Sequence, residues 1–210
     1  MPEPWNLVIC GQSGQGIILV TKILTTALAE AGLPVECTEY PAITHRFAIT
    51  FSHIRSGPGV HSPRIRPGEA DVIIGLEPFE CLRVSLLYAH PETLILTNDE
   101  FIRVDGTVNP LLREPIPTKT IADVVAALKA QGLRRVVPVG ASEIALRTLR
   151  HRSGTNIVML GAAFASGRIP LPEGALVAAI AGVVPRGTAE RNLEAFRAGM
   201  AAFQAAAPAA

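Results

Sequence analysis

Residues 6–17 read Asn6-Leu7-Val8-Ile9-Cys10-Gly11-Gln12-Ser13-Gly14-Gln15-Gly16-Ile17, and this stretch decides the architecture. Asn6 to Cys10 is a short apolar run of the kind that forms a buried strand. Three glycines follow within six positions, so the chain can turn sharply and bring backbone N–H groups close to a ligand. Ile17 to Ala31 is dense in Leu, Ile and Ala and is stopped by Gly32, which predicts a helix. Val35 to Tyr40, ended by Pro41, predicts a second strand. The unit is strand, glycine turn, helix, strand, the opening of a Rossmann-like βαβ fold.

Further strands are predicted at 47–55, 71–76, 93–97 and 135–139, with a short edge strand at 60–65 that carries Pro63. In the first of these Phe47, Ile49 and Phe51 alternate with Ala48, Thr50 and Ser52, the pattern of a half-buried strand. Helices are predicted at 79–88, 121–130, 142–149, 156–164, 173–183 and 189–203. Residues 98–118 hold several prolines and little periodicity, and form a long connection. The expectation is an α/β fold, a mainly parallel sheet flanked by helices, with a helical C-terminal appendage. Residues 1–203 form one domain, and 204–210 are an Ala/Pro-rich, frayed tail.

The 210 residues are 49% hydrophobic and only 5% aromatic, so Val, Ile, Leu and Ala fill the core. A net charge of +1 gives no basic stripe and no reason to expect nucleic acid as a partner. Arg46, Arg55, Arg64 and Arg66 make only a local basic patch. No apolar run is long enough to span a bilayer, and the acidic, proline-bearing start lacks signal-peptide regions; the expected location is the cytoplasm. The three cysteines, Cys10, Cys37 and Cys81, are widely spaced and lack a C-x-x-C pair. They cannot supply the four ligands of an iron–sulfur cluster or zinc site, and read as buried small hydrophobes.

The glycine turn is the candidate site. Gly11 and Gly16 keep the outer spacing of a dinucleotide fingerprint, with Ser13 in the second glycine position. The following helix directs its positive end and unpaired N–H groups at the turn, where phosphate, pyrophosphate or carboxylate would be stabilised. Glu39, at the end of the second strand, stands where an acidic residue would meet a ribose. The same glycines would equally permit tight strand-to-helix packing with no ligand at all. Other candidates are weaker. His45 and His53 bracket the strand stretch carrying Phe47, Ile49 and Phe51 without a carboxylate at ligand spacing, which argues for strand-edge histidines and against a metal. His61, His90 and His151 fall near turns or helix ends and face solvent. Ser13 lacks the surroundings of a nucleophile elbow. Ser153-Gly154-Thr155-Asn156 reads as a helix cap.

Gly11-Gln12-Ser13-Gly14-Gln15-Gly16-Ile17, followed by a helix containing Lys22-Ile23-Leu24, resembles the Gly-x-Gly-Gly-Gln-Gly-Ile opening of the gamma subunits or domains of 2-oxoacid:acceptor oxidoreductases. Within that family the small subunit of indolepyruvate:ferredoxin oxidoreductase is the nearest likeness. Ser52-His53-Ile54-Arg55 resembles the family's Ser-x-x-Arg strand. Ser62 to Ile65 and Glu69 to Pro78 are similar to its next block. Asn156 to Ala162 resembles its Asn-x-x-x-Leu-Gly helix, and Asn192 to Phe196 with Gly199 its closing helix. The likeness covers residues 6–203. It implies oxidative decarboxylation of a 2-oxoacid such as indolepyruvate or pyruvate, with electrons passed to ferredoxin or another acceptor. It also implies thiamine diphosphate, coenzyme A and iron–sulfur clusters in the full complex, with the thiamine and cluster sites mainly on large partner subunits. By the same resemblance Gly11, Ser13, Gly14, Gln15, Gly16 and Arg46 form the cofactor-binding set; no catalytic residue and no metal ligand is assigned. The sequence departs from the family at Ser13, and at Phe47-Ala48, where Arg46 is usually followed by two glycines. Two other functions compete: a free-standing nucleotide-binding oxidoreductase using the turn and Glu39, and a non-catalytic scaffold or regulatory relative.

Overall fold

The computed structural model describes residues 4–40, 49–102 and 120–206. Its elements, in chain order, are β1 (Trp5–Gln12), α1 (Ile17–Glu30), β2 (Val35–Tyr40), β3 (Ile49–Ser56), β4 (Ala70–Gly75), α2 (Pro78–Tyr88) and β5 (Ala89–Asn98). They continue with α3 (Ile121–Ala130), β6 (Arg135–Val139), α4 (Ala141–Leu149), a 3₁₀ turn (Arg152–Gly154), α5 (Thr155–Ala165), α6 (Glu173–Val183) and α7 (Ala189–Ala206). The last helix runs three residues past its expected end.

The six strands lie in the order β2-β3-β1-β4-β5-β6. Pairings β1–β4, β4–β5 and β5–β6 are parallel, while β3 runs antiparallel to both β1 and β2. Five strands therefore share one direction and β3 opposes them. β1 and β2 are parallel but not neighbours, because β3 is inserted between them. That insertion carries Glu39 one strand further from the turn than an ordinary βαβ unit would place it.

The period-two pattern of the strands sorts their side chains onto two cores. Leu7 and Ile9, Val72 and Ile74, and Leu94 and Leu96 face one side, under α1, α4, α5, α6 and α7. Val8 and Cys10, Ile73, and Ile95 face the other side, under α2 and α3. Full burial of each such side chain is worth about 1.5–3 kcal/mol. On the first side α5 and α7 cross at unusually close range. A Cβ on Gly161 would collide with the backbone of Phe196 and Met200, and one on Gly199 with the backbone of Val158.

The structure differs from the sequence reading in two local places. No strand forms at 60–65. Arg55 instead donates from Nη1 to the carbonyls of Ser62 (3.1 Å) and Arg64 (3.3 Å), so a guanidinium takes the carbonyls a strand partner would need. Arg55 and Ser52 thus hold the fold together: Arg55 Nε also donates to Asn6 Oδ1 at 2.9 Å, and Ser52 Oγ meets Thr21 Oγ1 at 2.6 Å. Cys37 is exposed rather than buried, since it lies on the edge strand β2 beyond the helices. Among the described residues no helix is long and apolar enough to cross a membrane.

Candidate functional site

The parallel strands β1, β4, β5 and β6 end at one edge of the sheet. The connection from β1 turns into α1 on one face and that from β4 into α2 on the other, which makes the β1/β4 boundary a topological switch point. The glycine turn stands at this boundary, and its glycines have different duties. A Cβ on Gly11 would meet Gln15 Oε1 at 2.5 Å and Leu76 Cβ at 3.0 Å, so Gly11 serves packing. Gly16 has φ of +80° and a Cβ there would strike the amide of Asn156. Gly14 has φ of +93° and nothing within 4 Å of its Cβ position; it is the open point of the turn. Ser13 is exposed beside it. Arg46, the remaining member of the expected set, lies outside the described residues, as do His45, Phe47 and Ala48.

Gln15 has a bracing task. Its Oε1 accepts from the Gln12 N–H at 2.7 Å and its Nε2 donates to the Leu76 carbonyl at 2.9 Å. The amide therefore lies across the switch-point crevice where a dinucleotide would normally enter. Together with the outward position of exposed Glu39, this disfavours a free-standing dinucleotide enzyme. Helix α1 itself begins at Gly16 with no side-chain cap and no acidic residue in its first turn. The helix's own first turn therefore brings no negative charge to its positive end beside Ser13 and Gly14.

Four residues join the site that the sequence reading did not place there: Asn98, Ser142, Thr155 and Asn156. Asn98 Nδ2 donates to the Leu76 carbonyl (3.3 Å) and to Ser142 Oγ (3.0 Å), and its Oδ1 accepts from the Ser142 N–H (3.2 Å). Ser142 Oγ meets Thr155 Oγ1 at 3.2 Å. Asn156 then reaches back, donating from Nδ2 to the Gly16 carbonyl at 3.1 Å. The polar atoms close a ring from Gln15 through the ends of β4 and β5, over α4 and α5, and back to Gly16. Outside this ring opens a cleft of about 480 Å³, lined by Gly14, Gln15, Phe101, His151 and Arg152 among others. Arg152 is ion-paired with Glu100 at its mouth. His151 is exposed as expected, and its Nδ1 accepts the Ser153 N–H at 3.0 Å. The stretch 153–156 does not supply the expected helix cap: Gly154 stands at the cap position of α5 with no side chain to offer, and Thr155 Oγ1 instead donates to the Arg152 carbonyl at 2.7 Å. Asn156 was the part of it with a longer reach.

On the α2 side, Glu77 caps that helix, its Oε2 accepting the Glu80 N–H at 2.9 Å. Burial pushes its carboxyl up to about 7, against backbone hydrogen bonds that favour the charged form. The sign follows from proton counts: above pH 4.5 the unfolded chain has lost this proton while the folded chain keeps it. The associated stability is complete below pH 4.5 and is lost as pH rises through 7. Glu77→Gln should accordingly hold its urea midpoint between pH 5 and 8 while the parent's declines. The expected gain is about 1–2 kcal/mol at pH 8, part of the shift being offset by a weaker cap. A parallel decline in both proteins would refute it. Cys10 and Cys81 lie together in the same core, and their interaction raises the Cys10 thiol and lowers that of Cys81.

The sequence profile of the pyruvate ferredoxin/flavodoxin oxidoreductase family matches residues 6–202. The chain is 31% identical over 198 residues to the indolepyruvate oxidoreductase subunit IorB of Methanothermobacter thermautotrophicus, covering 94% of this chain and 97% of that one. It is 30% identical over 194 residues to the IorB subunit of Archaeoglobus fulgidus, covering 92% of each. Two solved structures share the fold. The gamma subunit of a keto/oxoacid ferredoxin oxidoreductase from Geobacter sulfurreducens superposes with a TM-score of 0.69 at 19% identity, over 97% of this chain and 98% of that one. The 2-oxoglutarate:ferredoxin oxidoreductase of Magnetococcus marinus gives 0.70 at 19% identity, over 99% of this chain but 32% of the longer one. With the match running from the first strand into the last helix, the chain is a member of the pyruvate ferredoxin/flavodoxin oxidoreductase family.

Proposed function

We propose that this chain is the small subunit of a cytoplasmic 2-oxoacid:acceptor oxidoreductase of the indolepyruvate type. On this reading its glycine turn receives a phosphate-bearing group of coenzyme A once a large subunit is in place. The observation that carries the reading is the end-to-end match to IorB subunits, together with a turn whose exposed point, Ser13-Gly14, adjoins an uncapped helix N-terminus. Decarboxylation, electron relay and acyl acceptance are the chemistries that thiamine diphosphate, iron–sulfur clusters and coenzyme A bring to such an assembly. This chain's residues fit only the last of these. Its three cysteines do not gather at one place: Cys10 and Cys81 are free thiols buried in one core and Cys37 is exposed on the edge strand, which supports assigning the clusters to a partner.

The part this chain plays is binding and exclusion. The N–H groups that open α1 meet negative charge without needing a mobile cation, since the helix backbone holds them already aligned. The Gln15 amide keeps the crevice between β1 and β4 closed, so a ligand lies over the turn and not behind it.

Purified alone, the chain should be colourless and oxidise neither indolepyruvate nor pyruvate; co-purified with its large subunit it should do so. Ser13→Asp places a carboxylate at the turn with little risk to the fold, because Ser13 is exposed. In the complex it should raise the KM for coenzyme A about ten- to a hundredfold, as like charge meets the helix end, with the KM for the 2-oxoacid unchanged. Activity from the isolated chain, or an unaltered coenzyme A KM, would sink the proposal.

A further inference from the structure

We infer that Asn156 is the positioning residue of the glycine turn: from the start of α5 it fixes the Gly16 carbonyl, and through it the direction of the N–H groups that open α1. The inference rests on the reading of the turn as a phosphate-receiving site.

Four observations carry it. Asn156 is 1% exposed, so its amide has no water to exchange with and its bonds are those of the folded chain. Its Nδ2 donates to the Gly16 carbonyl at 3.1 Å, a contact between residues 140 positions apart. The same carbonyl accepts the Val20 N–H at 3.2 Å, the first bond of α1, so Asn156 grips the peptide that sets how the helix begins. Finally, Gly16 has no room for a Cβ because the Asn156 amide occupies that place, and its φ of +80° orients the next peptide.

The rest of the ring explains why this one contact matters. On the other flank of the turn, Gln15 is tied to the Leu76 carbonyl, which Asn98 also holds, and Asn98 leads through Ser142 to Thr155, the residue before Asn156. The turn is clamped at Gln15 and at Gly16, with the clamps joined behind it. Between strand and clamps, Ser13 and Gly14 stay exposed. A binding loop held on both sides loses less freedom when a ligand arrives, which is the physical content of preorganisation. Removing Asn156 opens one clamp and leaves the Val20 bond, the helix and the core in place.

The test uses the assembled complex and coenzyme A itself, with calorimetric Kd, steady-state kinetics and hydrogen exchange of the segment 12–17 as readouts. Asn156→Ala should weaken coenzyme A about tenfold in both Kd and KM, leave kcat and the KM for the 2-oxoacid within twofold, and speed exchange in 12–17. Asn156→Asp keeps the shape, loses the donor and adds negative charge at the turn. It should weaken coenzyme A further than Asn156→Ala does, while its melting temperature stays at or above that of Asn156→Ala, because aspartate at a helix start favours the helix. Affinity and stability then part company, which a purely structural role would not produce. If Asn156→Ala binds coenzyme A like the parent, with exchange in 12–17 unchanged, the positioning role is overturned while the site reading stands. If the parent complex does not bind coenzyme A, both are overturned.

Discussion

Gly199→Val leaves no folded protein to purify. The substitution puts a branched side chain where the backbone of Val158 already lies, and neither α5 nor α7 can retreat cheaply. α5 is apolar along most of its length and is wedged against the sheet, while α7 is held by Phe196 and Ala195, both fully buried. Overpacking of a well-filled core costs about 1–3 kcal/mol when side chains can shift, and more when the obstacle is backbone. Against a total stability of about 5–15 kcal/mol, Gly199→Val should cost enough to unfold the chain at 37 °C. Gly199→Ala should survive with a loss of about 3 kcal/mol, and Gly161→Ala should behave alike for the reciprocal reason. The control is inside the same molecule. Gly174 and Gly182 lie in α6 with nothing within 4 Å of a Cβ. Alanine there should stabilise by about 0.5–1 kcal/mol, through helix propensity and a less flexible unfolded chain. Urea denaturation of the four alanine variants separates the pairs. Equal midpoints across all four would show that the α5–α7 crossing has slack that its geometry denies.

Acidification should destabilise the protein through His53. This residue is 1% exposed in the interior of β3, not at a strand edge. Its Nδ1 accepts the Ile65 N–H at 3.2 Å, which puts the ring proton on Nε2. The ring is surrounded by Tyr40, Phe51 and Tyr88, the last meeting it edge-on at 4.7 Å. Burial first, then the positive charges of Arg64 and Arg55, push its titration from 6.5 down to about 4. Between those values the unfolded chain takes up a proton that the folded chain refuses, so stability is complete above pH 6.5 and drains away as pH falls toward 4. The full drop amounts to about 3 kcal/mol at most. His53→Gln removes the titrating group and keeps an acceptor for Ile65. It should be less stable than the parent at pH 7.5, through lost aromatic packing, yet lose less between pH 7 and 4.5. Urea midpoints across that range decide it, and parallel curves would mean that another group sets the acid limit.

Much of this fold was legible because its periods are clean. Val8 and Cys10 against Leu7 and Ile9 show two-sided burial, and Gly32 and Gly132 mark helix ends where the chain takes positive φ. What the sequence could not show depends on pairing at a distance. The insertion of β3 between β1 and β2 leaves no local trace, so Glu39 looked adjacent to the turn. Strand patterning at 60–65 was genuine, but the competing donor was Arg55, on another element. Even the alternation at 49–55 misleads by its polarity. Ser52 is fully buried under α1 because Thr21 satisfies its hydroxyl, whereas Phe51 on the opposite face is only half-buried. The turn was legible as a turn, and its glycine spacing marked the right edge of the sheet. Its supports were not, since Asn98, Ser142 and Asn156 are ordinary residues until the fold gathers them. Serine and asparagine near helix starts are common enough to be explained by capping, and only the long reach of Asn156 to Gly16 sets it apart.

The reversed strand also governs how the chain assembles itself. Trp5 opens the central strand, but its antiparallel partner across the ladder is Ser56, and the parallel neighbour of Leu7 is Val72. A nascent chain therefore carries a strand that is buried along its whole length in the fold, unsatisfied until both later segments have emerged. Emergence at about 5–20 residues per second makes that a wait of several seconds. During it, Leu7 to Cys10 is a short sticky segment with no edge protection of its own. Once it is delivered, β3 saturates one side and β4 the other, and the β2 it leaves at the border carries Glu36 and Glu39, charges that discourage a second chain from adding on. The strand that spoils the simple βαβ reading thus moves the sheet's vulnerable border from an apolar segment to an acidic one. β1 is then left without ladder partners on either side during synthesis until β3 and β4, ending at Gly75, have been made.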